Sequence, residues 1–265
     1  AVAELCRPLD GLPLALELAA ARLHLVSPAE LLHLLDQRFA VLRVDDADRE
    51  DRHRRLWATI DWSYQLLEEA DQTAFRRLGT FADGFTLDAA AAVAGCSAVV
   101  GVERIEMLDT LDRLAEHHLV QPRTAAAERS RFSLLESIRE FAIAELDRHG
   151  ERPAAGRAHA GWARATSERW GPATVDPAEH RTALDILDEE RANVRAALGF
   201  ALEAADAELA LAIGAPLWRY WLYRGSGREG LTWLDTALAL DPPPSAVVGA
   251  AWEAAGDLAE VIGDL

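Results

Sequence analysis

The chain contains no lysine: all 27 of its basic residues are arginine, set against 44 acids, for a formal net charge of −17. Without lysine there can be no phosphate loop of the form Gly-x-x-x-x-Gly-Lys-Ser/Thr in this stretch, because that loop needs its lysine on the β- and γ-phosphates. The acidic balance argues against a chain whose main task is to hold nucleic acid, where phosphate contacts dominate affinity. Cysteine is nearly absent. Cys6 and Cys96 stand far apart with no second pair, which excludes a disulfide framework and a zinc-ligand spacing and suits a reducing, cytoplasmic setting. The one methionine is Met107 and the chain starts at Ala1, so a piece of a longer protein is expected. Long apolar runs are missing too. The longest uncharged one, Leu209 to Trp218, falls well short of the ~20 residues of a membrane span, and no signal peptide is visible.

Catalytic signatures are equally scarce. There is no Gly-x-Ser-x-Gly elbow and no His-Glu-x-x-His pair. His117 and His118 are adjacent, and adjacent side chains do not share a face, so a metal pair is not expected there. Asp188, Glu189 and Glu190 read most simply as a solvated face. Gly225-Ser226-Gly227-Arg228-Glu229-Gly230 satisfies G-x-G-x-x-G, but Trp218 to Tyr223 before it fits a helix rather than a buried strand. A turn between two helices explains the same glycines. No catalytic residue and no metal ligand is assigned, and this stretch is not expected to be an enzyme by itself.

What is present is helical patterning. Half of the 265 residues are hydrophobic, enough for real cores and about two domains at ~150 residues each. Gly11 permits a turn and Pro13 suits the first position of an Ala/Leu-rich helix. Ser27, Pro28 and Glu30 together mark a helix start with a capping box. Asp45 to Arg55 alternates in sign and reads as a solvated connector. Leu56, Ile60, Tyr64 and Leu67 share one helical face, as do Ala74, Phe75 and Leu78 in the next segment. Phe81 to Thr86 reads as a turn with Gly84, and Thr86 as a cap for Leu87 to Ala94. A long helix is expected from Glu103 to about His117, with Ile105, Leu108, Leu111, Leu114 and Ala115 inward. A hairpin is expected from His118-Leu119-Val120 and Arg131-Phe132-Ser133-Leu134, with Gln121 to Ser130 as its loop. The second arm runs into a helix carrying Ile138, Phe141, Ala142 and Leu146. A polar break near His149 to Pro153 precedes further helices: Ala158 to Arg169, Pro177 to Glu203 as one or two, Ala207 to Tyr223, Glu229 to Leu240, and one to Leu265.

Several of these stretches resemble STAND-type, NB-ARC-like predicted ATPases of the kind found in LuxR-type and SARP-type bacterial transcription regulators. Gly11-Leu12-Pro13-Leu14 is similar to that family's GLPL motif, whose proline packs against the bound nucleotide. Trp62-Ser63-Tyr64 with Leu66-Leu67, and the Phe81 to Phe85 turn, resemble its winged helix. Leu134-Leu135-Glu136 stands where the wider family has Met-His-Asp, and Leu135 cannot donate the hydrogen bond of that histidine. Leu211 to Pro242 is similar to one tetratricopeptide-type repeat, with Trp218, Trp221, Gly230, Leu234 and Ala237 in its helices. The resemblance implies a mainly α fold: the tail of a helical subdomain (1–45), a winged helix (55–148) and the start of a tetratricopeptide-like array (155–265). It implies ADP or ATP in the parent protein, touched here by Gly11, Leu12, Pro13 and Leu14, with Glu136 and Arg139 latching the winged helix. The implied role is a lever between a nucleotide pocket and a sensor array. The implied partners are the nucleotide-binding core of the same polypeptide and an effector on the array, with self-assembly possible. Five acids (Glu103, Glu106, Asp109, Asp112, Glu116) against Arg104 and Arg113 on the would-be reading helix speak against DNA contact. The alternatives are a direct DNA-binding winged-helix regulator and a repeat scaffold for protein partners.

Overall fold

The computed structural model describes residues 48–95, 102–124 and 130–263, with Ala20, Ser27 and Glu30 as isolated positions. It is mainly helical, with one small sheet. At the isolated positions the expected capping box is present. Glu30 N–H donates to Ser27 Oγ (3.3 Å), and Ser27 N–H and Oγ–H donate back to the Glu30 carboxylate (3.0 and 2.8 Å).

The described residues form two compact units. The first ends at Gly79, resumes at Thr86 and closes at Glu151; the second takes Thr80–Phe85 and the residues from Arg152 on.

The first unit contains helices α1 (Asp48–Gln65), α2 (Glu69–Leu78), α3 (Leu87–Ala94), α4 (Val102–Glu116) and α5 (Glu136–Arg148). Strands β2 (Gln121–Thr124) and β3 (Ser130–Ser133) pair antiparallel, and with β1 (Phe85–Thr86) they make a sheet of order β1-β3-β2. The periodic residues of α1 and α2 do go inward: Ile60, Tyr64, Ala74, Phe75 and Leu78 are buried. Phe141 of α5 meets them in a ring cluster, 5.6 Å from Trp57, 5.6 Å from Tyr64 and 6.4 Å from Phe75 between centroids. Such offset and edge-on contacts are the favoured geometry for aromatic quadrupoles. Arg76 crosses this core. It donates to the Tyr64 hydroxyl (2.6 Å) and to Glu151 (2.5 Å), tying α2 to the chain just beyond α5. Thr86 caps α3 as expected, its hydroxyl accepting from Ala89 N–H.

Two expectations need correcting here. Asp48 to Arg55 is helix, not connector. The sequence there sets an acid four residues before an arginine three times (48–52, 50–54, 51–55), a spacing that supports helix rather than loop. The first hairpin arm is Gln121–Thr124, not residues 118–120, with Pro122 opposite Phe132. His118 instead takes a left-handed φ of 55° to end α4. Its N–H bonds to Ala115 O and that of Leu119 to Leu114 O, the paired closure that stops many helices. Leu119 and Val120 then drop into the core. Pro122 is tolerated because β2 is an edge strand, where a missing N–H breaks no ladder.

The second unit is a run of helices: α6 (Arg152–Trp170), α7 (His180–Glu189), α8 (Arg191–Glu203), α9 (Ala207–Gly214), α10 (Trp218–Tyr223), α11 (Gly227–Leu238) and α12 (Ala246–Ile262), with 3-10 turns at Pro172–Val175 and Ala215–Leu217. Pro177 to Glu203 is thus two helices, and the stretch expected as one helix to Tyr223 is broken at Pro216. Proline lacks the N–H an α-helix would use there. Gly225, at φ 67°, closes α10, so the G-x-G-x-x-G match is an interhelical turn. Gly230 has a separate reason: a Cβ there would stand 2.1 Å from the Trp221 ring.

The loop Thr80–Phe85 belongs to this unit and is held by one side chain. Asn193 Oδ1 accepts from Ala82 N–H (2.9 Å) and Asp83 N–H (3.2 Å), and its Nδ2 donates to Gly84 O (3.0 Å) and to Glu190 (2.7 Å). Beside it, Phe81 lies edge-on to His159 and Trp162 at 4.9 and 5.3 Å.

Two outcomes are expected. Gly230→Ala should destabilise the chain by roughly 1–3 kcal/mol, since overpacking a filled core costs that much. Gly161→Ala, at a helical glycine with nothing within 4 Å, should be neutral or stabilising; urea titration of both variants checks the contrast. His159 is 2 % exposed and its Nε2 has no hydrogen-bond partner. Burial pushes its imidazole from 6.5 down to about 4, so the folded state keeps it neutral. Between those values the unfolded chain binds more protons. The contribution is therefore full above pH 6.5 and fades as pH falls toward 4, by roughly 3 kcal/mol in all. Stability measured from pH 7 to 4 should fall less steeply for His159→Phe than for the native chain, and identical profiles would refute the assignment.

Candidate functional site

Helix α4 carries two overlapping apolar stripes that share Leu111. Met107, Leu111 and Leu114, spaced i, i+4, i+7, are the ones buried. Ile105 and Leu108, expected inward, are 66 % and 49 % exposed. Ala115 is only half-buried. A helix turns about 100° per residue, so choosing 107 and 114 as the inner line throws 105 and 108 outward.

The choice is made by a buried charge. Asp71 of α2 is 2 % exposed, and the Arg113 guanidinium grips it with two bonds, Nε to Oδ2 at 2.6 Å and Nη2 to Oδ1 at 2.7 Å. The Thr110 hydroxyl adds a third at 3.2 Å. Residues 110 and 113 lie one turn apart, so the grip fixes the rotation of α4 as well as its position. The hydrogen bond to Asp71 raises the Arg113 pKa, which holds the guanidinium charged. The other arginine of α4, Arg104, stands 3.1 Å from Asp88 of α3 in an exposed pair.

The outer face of α4 therefore presents Ile105 and Leu108 beside exposed Glu106, Asp109, Asp112 and Glu116, with both its arginines facing carboxylates. Phosphate neutralisation needs free cations at this position, and the face offers a negative field instead. An apolar pair on an acidic helix can bury surface against another protein, where burial contributes about 25 cal/mol per Å².

The sequence-derived site residues fare differently. Gly11, Leu12, Pro13 and Leu14 lie outside the described residues. Glu136 and Arg139 are brought together on the first turn of α5, Nη2 to Oε1 at 2.7 Å and Nε to Oε2 at 3.2 Å. That pairing holds the Glu136 carboxyl below its usual range. The Glu136 side chain is 65 % exposed, so it is open to a partner from above the helix. The acid run Asp188 to Glu190 is not a plain solvated face. Asp188 accepts from the Tyr220 hydroxyl at 2.9 Å and from Arg224 Nε at 3.0 Å, and Glu190 is buried on Asn193. Asp71, Asn193 and the outward turn of Ile105 and Leu108 had no marker in the sequence beyond the two competing stripes of α4. Among the described residues no group of His, Cys, Asp and Glu could hold a metal ion, and no helix is long and apolar enough to cross a membrane.

Comparison with known proteins adds a second line. The chain is 36 % identical over 238 residues to a Mycobacterium tuberculosis protein provisionally named an HTH-type transcriptional regulator, and to a like-named protein of Mycobacterium bovis. Those matches cover 90 % of this chain and 26 % of each relative, so the chain spans about a quarter of their length. An uncharacterized Mycobacterium tuberculosis protein is 39 % identical over 157 residues, covering 58 % of this chain and 38 % of that protein. No family model matches the chain, and no solved structure does.

The α4 geometry separates structural from surface residues. Asp71→Ala should cost roughly 2 kcal/mol, the usual worth of charged hydrogen bonds. Ile105→Ser with Leu108→Ser should leave stability within about 0.5 kcal/mol, as exposed positions do. Thermal and urea unfolding of both variants test this; a strongly destabilised double serine variant would mean the outer face is packed.

Proposed function

We propose that this chain is the relay segment of a nucleotide-dependent transcription regulator, and that its winged helix docks onto protein rather than DNA. On this reading residues 1–45 are the tail of the NB-ARC-like module, 55–148 the winged helix and 155–265 the start of a tetratricopeptide-like array. The helix order of the first unit, the antiparallel hairpin and its passage into α5 support the winged-helix reading. The helix pairs of the second unit, with Gly230 against Trp221, support the array. The observation that carries the functional reading is the face of α4: apolar Ile105 and Leu108 among four exposed acids, with Arg113 spent on Asp71.

The mechanism is a population shift. In the longer protein the ADP state keeps the winged helix against the nucleotide core, with Pro13 near the nucleotide and Glu136 and Arg139 at the latch. An effector on the array and exchange to ATP release it and permit assembly. The relatives carry an HTH name, and this chain matches only a quarter of each. DNA reading by a module outside this segment accommodates both facts.

A gel-shift of the chain with generic and promoter duplexes at 50 mM salt tests the proposal. The expected result is no retardation. Tight binding that weakens steeply with salt, with a slope of about one per phosphate neutralised, would overturn it in favour of direct DNA reading.

A further inference from the structure

Between α2, α3 and α4 lies a cavity of about 320 Å³ lined by Ala70, Ala74, Ala94, Met107, Thr110 and Arg113, with Gly95, Glu106 and Asp109 completing its wall. That volume sits at the lower end of the range in which small ligands are held. Ala74, Ala94 and Met107 are buried and form an apolar floor. The polar groups are not equivalent. Arg113 and Thr110 are already turned onto Asp71, so the cation of the wall is neutralised from behind. Glu106 and Asp109 are exposed and have no ion pair or hydrogen bond among the described residues. The cavity therefore has an apolar base and two carboxylates in its wall that no side chain grips, Asp109 acting on Arg113 only through space.

This selects a ligand class by elimination. An anion is repelled by the two carboxylates. A bare metal ion would meet apolar carbon on the floor and lack a full oxygen shell. A neutral apolar group would leave the charges unused. We infer that the α2–α4 cavity binds a cation borne on a short apolar stem, an ammonium or guanidinium whose head lies between Glu106 and Asp109 and whose stem lies on Ala74, Ala94 and Met107. A free amine and the side chain of an arginine or lysine on a partner offer the same chemistry. The inference does not depend on whether α4 meets protein or DNA.

The test is a ¹H–¹⁵N NMR titration of the full chain at low salt with phenethylammonium chloride, and in parallel with neutral 2-phenylethanol. The amine should shift the amides of Ala70, Met107 and Thr110 saturably, and the alcohol should bind at least about tenfold more weakly. Glu106→Gln with Asp109→Asn should lower amine affinity about tenfold while leaving the alcohol unchanged. Ala70→Leu, which fills an exposed part of the wall, should weaken both. N-acetyl-arginine methylamide distinguishes the source: tighter binding than phenethylammonium assigns the site to a partner's side chain, and weaker binding to a free amine. Absence of saturable shifts at those three amides, equal binding of amine and alcohol, or an unchanged affinity in the double variant would each overturn the inference.

Discussion

Asp71 is 2 % exposed, and an ionised carboxylate in that position would carry a desolvation penalty of several kcal/mol without a cation beside it. Helix α4 supplies that cation through the grip of Arg113, with Thr110 beside it. Much else in the first unit depends on it. With residues 110 and 113 turned toward α2, Met107, Leu111 and Leu114 fall into the core and Ile105 and Leu108 cannot. The same bond removes from the outer face the cation best placed to meet a phosphate. One interaction thus orients the helix, selects its buried stripe and sets the sign of its exposed surface.

The second unit relies on a different device. Its helices bring together large rings and small residues, as where Gly230 admits the Trp221 ring. Asn193 does what no apolar residue could do there. A loop that turns inward must satisfy its own N–H and C=O groups. The Asn193 amide, one acceptor and two donors, meets two N–H groups and one carbonyl of Ala82 to Gly84 at once. Glu190 takes the remaining donor and is itself buried at the junction of α7 and α8. The break in the stretch expected as one or two helices therefore falls at Glu190, the residue that holds the Asn193 amide.

What could be read in the sequence was whatever local rules determine. Ile60, Tyr64, Phe75 and Leu78 announced their faces by spacing, Thr86 its cap and Phe132 to Ala142 its passage from strand to helix, and the structure agrees at each. The errors lie where two local patterns compete and a distant residue decides. Ile105, Leu108, Leu111 and Ala115 make as good a stripe as Met107, Leu111 and Leu114; only Asp71, far back in the chain, breaks the tie. His118 looks like a strand residue until its left-handed turn closes α4. Asp188 looks solvated because Tyr220 and Arg224 are distant in sequence, and Glu190 because its neighbour Asn193 is buried by a loop more than a hundred residues earlier. The candidate site was legible only as a charge imbalance on α4, not as a surface with an apolar centre.

That charge imbalance matters because of how it is arranged. Net charge alone would not exclude a local basic patch, and winged helices with acidic totals could still read DNA through one face. The proposed reading rests on a local arrangement instead. Glu106, Asp109, Asp112 and Glu116 are exposed on α4, and Arg104 faces Asp88 while Arg113 is held by Asp71. Freeing Arg113 for a phosphate would strand Asp71 in the core, so the gain of one phosphate contact is offset by the loss of a buried pair. Exposed Arg104 could be recruited at little cost, since surface pairs contribute little, but one cation does not outweigh four anions. The same balance turns favourable for a partner that brings its own positive charge and an apolar surface. Burial of Ile105 and Leu108 then supplies affinity, and the surrounding acids supply orientation and speed of encounter.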